Sequence, residues 1–134
     1  MNYKKMKILV TGANGFIGSN LLKLLNKKNY SVTGLSKSQN NNYTVSSSSL
    51  LSKEKINQFL HEHNFDTVIH LGASLEELNS INTFKKNCQT TVNLLDACVN
   101  TKIKKFILAS SHLVYGPSHY LPIDENHPTD PLTN

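Results

Sequence analysis

Three glycines, Gly12, Gly15 and Gly18, recur at every third position directly behind the apolar run Ile8-Leu9-Val10. A strand that ends in such a turn and leads into a helix can bind phosphate. Gly12 lets the chain leave the strand sharply. Gly15 lets backbone N–H groups approach a pyrophosphate with no Cβ in the way, and Gly18 lets the helix lie close to the strand. The helix then aims its free N–H groups and the positive end of its dipole at the phosphates. The bland alternative is a tight strand–helix turn that binds nothing. The strand before it, the amphipathic helix after it and a second strand–helix unit downstream favour nucleotide binding.

Further residues with chemical potential stand at the ends of later apolar runs. Tyr30 to Leu35 ends in Ser36-Lys37-Ser38. In a dinucleotide-binding fold a carboxylate at that place binds the adenosine ribose hydroxyls of NAD and repels the 2′-phosphate of NADP. A hydroxyl and a lysine stand there instead, which favours NADP over NAD; an ordinary polar strand end is the alternative. Asp66 to Leu71 ends in Gly72-Ala73, small residues that leave room for a ligand at a strand's C-terminal end. His70, within that run, is either a ligand or acid–base group or, more often for a lone histidine in an apolar strand, a satisfied core residue. Phe106 to Ala109 runs into Ser110-Ser111, hydroxyls at the end of another strand.

The elements that must position these residues alternate strand and helix. Ile17, Leu21, Leu24 and Leu25 share one face of the first helix, and Lys27 and Lys28 complement its C-terminal dipole. Gln39 to Ser49 is a loop by composition, with a weak third strand around Tyr43-Thr44-Val45. Ser52 caps a helix through His63 whose apolar face is Ile56, Phe59 and Leu60. A long helix, about Thr83 to Asn100, carries Phe84, Cys88, Val92, Leu95 and Val99 on one face. Pro117 to Asn134 holds all four prolines and reads as an extended loop. The alternation predicts a parallel sheet of the α/β class.

Composition narrows the partners. With 134 residues, 38% of them hydrophobic and 17% charged, the chain can bury one core and is not a disordered or fibrous sequence. Neither a membrane span nor a signal peptide is expected. The net charge of +5 is spread over short lysine clusters with no basic stripe interleaved with aromatics, which argues against nucleic acid and for anionic small molecules. Cys88 and Cys98 fall in one predicted helix, separated by roughly 15 Å of rise, too far to bridge. They read as small buried hydrophobes in a reducing cytoplasm. No metal site is expected.

Taken together, these stretches resemble the extended short-chain dehydrogenase/reductases, the NAD(P)-dependent epimerase/dehydratase group that acts on nucleotide sugars. Thr11-Gly12-Ala13-Asn14-Gly15-Phe16-Ile17-Gly18 is similar to the family's T-G-x-x-G-x-x-G cofactor loop. His70-Leu71-Gly72-Ala73 resembles its H-x-A-A strand end. Asn87 with Thr91-Val92-Asn93-Leu94-Leu95 resembles its N-x-x-G-T-x-N-L-L helix, with Thr90 where glycine is usual. Phe106 to Gly116 is similar to F-x-x-x-S-S-x-x-V-Y-G, and Leu121 to Pro128 resembles a loop of its sugar-nucleotide members. The resemblance implies a Rossmann-type doubly wound parallel sheet. It implies cofactor contacts from Gly12, Asn14, Gly15, Phe16, Ile17, Gly18, Ser36, Lys37, Leu71, Gly72, Ala73 and Asn87. It makes Ser111 the catalytic hydroxyl, Ser110 being a strand-end neighbour, and a nucleotide sugar the substrate.

The resemblance also marks departures. Ser36 replaces the usual acid, and Ser49 or a neighbour stands where an aspartate often lies near the adenine. His112 and Leu113 occupy the place of the acidic pair of 4,6-dehydratases, which disfavours dehydration and leaves epimerisation or net reduction. The family's Tyr-x-x-x-Lys pair is missing: Tyr3 and Lys7 have the spacing but lead into the first strand, and Tyr115 and Tyr120 lack the lysine. Residues 1–134 are therefore expected to be an incomplete NAD(P)-binding Rossmann domain ending after about the fifth strand, with the substrate domain absent. The longer form is expected to be a cytoplasmic homodimer, and a non-catalytic dinucleotide-binding module is the alternative.

Overall fold

A computed structural model describes residues 5–36, 44–46, 50–74 and 80–132. Among the described residues five strands and three α-helices follow one another: β1 Lys7–Thr11, α1 Phe16–Lys27, β2 Ser31–Ser36, β3 Thr44–Ser46, α2 Lys53–His63, β4 Thr67–His70, α3 Ile81–Val99 and β5 Lys105–Leu108. The strands form one sheet in the order β3-β2-β1-β4-β5. Every pairing is parallel, with Val10 level with Gly34 on one side and Ile69 on the other. This is the expected α/β Rossmann-type architecture, and a weak third strand is present where the sequence suggests one.

Because β1 is central and covered on both faces, both of its side-chain sets are apolar. Ile8 and Val10 meet Ala13 and Leu22 under α1, with Leu21, Leu25, Val32 and Ile69 packed around them. Leu9 points the other way, into a larger cluster of Leu35, Ile56, Phe59, Leu60, Phe65, Val68, Leu94, Ala97 and Cys98 under α2 and α3. Each Leu, Ile, Val or Phe side chain among these, once fully buried, contributes about 1.5–3 kcal/mol of transfer free energy. Helix α2 starts and stops as its residues dictate. The Ser52 Oγ accepts from Lys55 N at 3.3 Å, and Asn64 ends the helix in the left-handed region at φ 53°. Burial pushes the Cys98 thiol up to about 11.

Two helix faces differ from expectation. On α1 the buried positions are Gly18 and Leu22, flanked by half-buried Leu21 and Leu25, whereas Ile17 and Leu24 are exposed. Gly18 sets this rotation, because it is the residue that must lie against the strand. On α3 the predicted apolar stripe points to solvent: Phe84, Val92, Leu95 and Val99 are exposed, as is Cys88. The buried face is Asn93, Leu94, Ala97 and Cys98. Its polar member docks by hydrogen bonds: the Asn93 amide donates to the Leu50 and Leu51 carbonyls at 3.1 and 3.2 Å. Apolar periodicity does not register a face that packs through amides and hydroxyls.

Strand β5 lies at the sheet edge with Ile107 and Leu108 also exposed. Exposed apolar rows such as that of α3 promote association. The chain is expected to sediment as a concentration-dependent mixture, and Val92→Lys with Leu95→Glu should shift it towards monomer. A single monomer boundary for the unaltered chain at high concentration contradicts this.

Candidate dinucleotide site

The described residues among those singled out for binding lie towards one edge of the sheet, where the C-terminal ends of β1, β2, β4 and β5 lie side by side. The turn after β1 is set by backbone contact. Gly12 has φ +68°, and a Cβ there would lie 2.8 Å from Gly72 N and from the Leu71 carbonyl. A Cβ on Gly18 would lie 2.2 Å from the Gly12 carbonyl oxygen. Gly15 differs, because its Cβ would meet only Gly12 O, at 3.2 Å, with open space beyond. The fold therefore requires the outer two glycines, while the middle one keeps clear the space in front of the turn.

Helix α1 opens on that space. Gly15 is its N-cap, no side chain caps it, and its first turn holds no acid. The first N–H groups of the helix have no intrahelical acceptor, and the dipole adds partial positive charge. The Ala13 N–H donates to Leu35 O at 3.2 Å, which ties the turn to β2. Asn14, Phe16 and Ile17 are exposed at the rim; Phe16 is 87% accessible, an apolar ring at a polar edge. Glycines that a Cβ would clog and an uncapped, acid-free helix end fit a dinucleotide's pyrophosphate.

Ser36 is buried at the end of β2, level with Ser46. Lys37 and Ser49 lie outside the described residues. Leu71, Gly72 and Ala73 follow β4, and their path is held from two sides. The Gly72 N–H donates to Thr11 Oγ1 at 3.1 Å. The Asn87 amide clamps the next residue, accepting from Ser74 N at 2.7 Å and donating to Ser74 O at 3.1 Å. The Asn87 side chain is thus committed to backbone. His70 is the satisfied core residue of the two readings, with hydrogen bonds to Thr11 and Thr91 on its two ring nitrogens. Burial holds its pKa below the ordinary histidine value.

Beyond β5, Ser111 caps a short 3-10 turn, His112–Tyr115, by accepting from Leu113 N at 3.2 Å. Among the described residues no acceptor takes its hydroxyl proton, and the residue is exposed, as is Ser110. The chain that follows is an Ω-like loop rather than a merely extended one. Gly116, at φ +62°, lies so close to Asp130 that a Cβ would strike the Asp130 carbonyl. His127 is buried inside, donating from Nδ1 to Pro128 O at 2.8 Å and accepting from His119 N at 2.9 Å. Tyr115 meets its ring edge-on at 5.5 Å. The Tyr120 hydroxyl donates to Asp124 at 2.7 Å, and that bond holds the carboxyl below its usual range.

The NAD dependent epimerase/dehydratase family pattern matches residues 8–134. The chain belongs to that family. It is 34% identical over 142 residues to a dTDP-D-glucose 4,6-dehydratase of Dictyostelium discoideum, covering 90% of this chain and 32% of the relative. It is 31% identical over 151 residues to a UDP-glucose 4-epimerase of Caenorhabditis elegans, covering 92% and 43%. Among solved structures, UDP-glucose 4-epimerase from Brucella ovis in complex with NAD superposes with a TM-score of 0.82 at 28% identity, covering 96% of this chain and 42% of that one. The chain spans less than half the length of the curated relatives it matches.

Thr11, Thr91 and Ser74 were not singled out as site residues. A threonine closing an otherwise apolar buried strand is the signal that could have found Thr11. His127 has no such signal, since one histidine among prolines looks like any surface loop residue. The two kinds of glycine in this family cradle separate by experiment. Gly18→Ala should cost about 1–3 kcal/mol of stability through overpacking. Gly15→Ala should change stability by less than about 1 kcal/mol, yet weaken dinucleotide binding roughly tenfold or more. Melting and calorimetric titration read the two; equal effects on melting contradict the assignment.

Proposed function

We propose that the chain is the dinucleotide-binding domain of a nucleotide-sugar epimerase, with a net reductase as the alternative. The observation that carries the reading is the meeting, at one sheet edge, of an open glycine cradle and an exposed serine hydroxyl beyond β5. A bound nicotinamide dinucleotide supplies the acceptor and donor of hydride in this chemistry. The residues of this chain bind and orient. The turn around Gly15 and the start of α1 hold the pyrophosphate, with Asn14, Phe16 and Ile17 at its rim. Leu71, Gly72 and Ala73 form the floor, and Asn87 acts by fixing the Ser74 backbone rather than by reaching the cofactor. Ser111 donates a hydrogen bond to the reacting sugar oxygen and so orients it beside the nicotinamide.

Epimerisation is favoured by the UDP-glucose 4-epimerases among the relatives. Dehydration is disfavoured because His112 and Leu113 stand where an acidic pair would be needed. No tyrosine with a lysine four residues on follows β5 in these 134 residues. General acid–base catalysis contributes roughly 10²–10⁴-fold, so the 134-residue chain by itself binds without turning over. The exposed stripe of α3 supports a homodimer. Among the described residues no helix is long and apolar enough to cross a membrane.

For the cofactor, β2 ends in the Ser36 hydroxyl with Lys37 next in sequence, and NADP is preferred over NAD. Hydrogen bonds to charged groups contribute roughly 1.5–3 kcal/mol each, enough for a tenfold or greater ratio of dissociation constants. Titration of the chain with NADP and NAD should show that preference, and Ser36→Asp should reverse it. Turnover assays on UDP-sugars with the 134-residue chain should be blank. Absence of binding to either dinucleotide overturns the whole reading. Tighter NAD binding in the unaltered chain overturns only the cofactor choice.

A further inference from the structure

A polar chain crosses three elements beneath the cradle, and its hydrogens can be placed by counting donors and acceptors. One end is a backbone N–H, which only donates: Gly72 N to Thr11 Oγ1, 3.1 Å. The other end is a carbonyl, which only accepts: Asn87 O from Thr91 Oγ1, 2.9 Å. Between the two hydroxyls lies the His70 ring, with Nδ1 on Thr11 Oγ1 and Nε2 on Thr91 Oγ1, the latter at 3.1 Å. Thr91 has given its one proton to Asn87, so it accepts from Nε2–H. In a neutral ring Nδ1 is then bare and accepts the Thr11 hydroxyl proton. Donation runs without a break from β4's end through β1 and β4 into α3.

We propose that His70 is a positioning residue of the dinucleotide site: as a neutral Nε2–H imidazole it fixes the Thr11 hydroxyl that receives Gly72 N–H, and so sets Leu71–Ala73 against Gly12. The inference rests on the dinucleotide-binding reading. It also makes the cradle sensitive to acid. A second proton on Nδ1 would turn that nitrogen into a donor facing an oxygen that already accepts from Gly72 N–H, and would take from the Thr11 hydroxyl hydrogen its acceptor. Thr11 is fully buried and His70 is 2% accessible, so no water relieves the conflict. The described groups packed on the ring are uncharged: Thr11 from β1, Thr91 from α3, and Phe106 from β5 at 6.1 Å.

The sign follows from burial, which lowers the His70 pKa from its ordinary 6.5. The unfolded chain takes up the proton first. The stability that neutral His70 contributes is therefore complete above the unfolded value and is lost as the pH falls through the folded-state value.

The test is calorimetric titration with NAD and NADP from about pH 8 to about pH 5, on the unaltered chain, His70→Asn and His70→Leu. The unaltered chain should lose roughly tenfold in affinity towards acid. The amide oxygen of His70→Asn stands near the place of Nδ1 and cannot be protonated in this range. That variant should bind within a few-fold of the unaltered chain at neutral pH and stay flat. His70→Leu should bind weakly throughout. Parallel pH profiles for the unaltered chain and His70→Asn, or full affinity in His70→Leu, overturn the proposal. If His70→Leu does not fold, the other two profiles decide. Ring nitrogen-15 shifts give a readout without ligand: the Nε2–H tautomer is expected, and the Nδ1–H tautomer overturns the proposal. Failure of the unaltered chain to bind at neutral pH would instead sink the functional reading.

Discussion

The structure depends on the approach of backbone to backbone around Gly12. On one side the helix comes in at Gly18, and on the other the end of β4 comes in at Leu71 and Gly72. Neither contact has space for a Cβ. Because of the first, α1 starts directly above the end of β1, with its uncapped N–H groups facing the open turn. Because of the second, β4 brings Leu71–Ala73 beside that turn rather than a side chain's width away. Sheet order then does the rest, since parallel strands put every C-terminal end on one edge. Dispersion and hydrophobic burial stabilise the layers, but these contacts place the site.

Around the contact, polar groups hold what packing leaves loose. Thr11 and Asn87 each bind a backbone group of the segment after β4, and His70 links Thr11 to α3. The arrangement explains why a helix in a doubly wound fold presents amides and hydroxyls inward. It also bears on the apolar stripe that α3 leaves outside: Asn87, Thr91 and Asn93, each with a partner, share the inward side with Leu94, Ala97 and Cys98. Buried hydrogen bonds of this kind contribute modestly in net terms but are costly to break singly.

Much of this was legible in the sequence because the signals were local. The Ile8-Leu9-Val10 run, the glycine triplet, the Ser52 cap and the small residues after His70 each act within a few positions of themselves, and each stands where expected. The helix rotations were not legible in the same way. The rotation of α1 is decided by Gly18, a residue with no side chain to enter an apolar count. That of α3 is decided by polar partners 13 to 43 residues away, such as Ser74 for Asn87 and Leu50 for Asn93. The order of the Ω-like loop has the same origin, since it rests on the buried His127 imidazole, the Tyr120–Asp124 hydrogen bond and the contact between Gly116 and Asp130.

The central claim is that one sheet edge is the dinucleotide site. The most direct measurement is amide chemical-shift mapping of the chain during titration with NAD and with NADP. The account predicts saturable shifts at Gly12 to Gly18, Ser36, Leu71 to Ala73 and Ser111, and small ones at the opposite edge, around Phe65 and Thr101. Shifts centred on that opposite edge, or none at saturating dinucleotide, would contradict it.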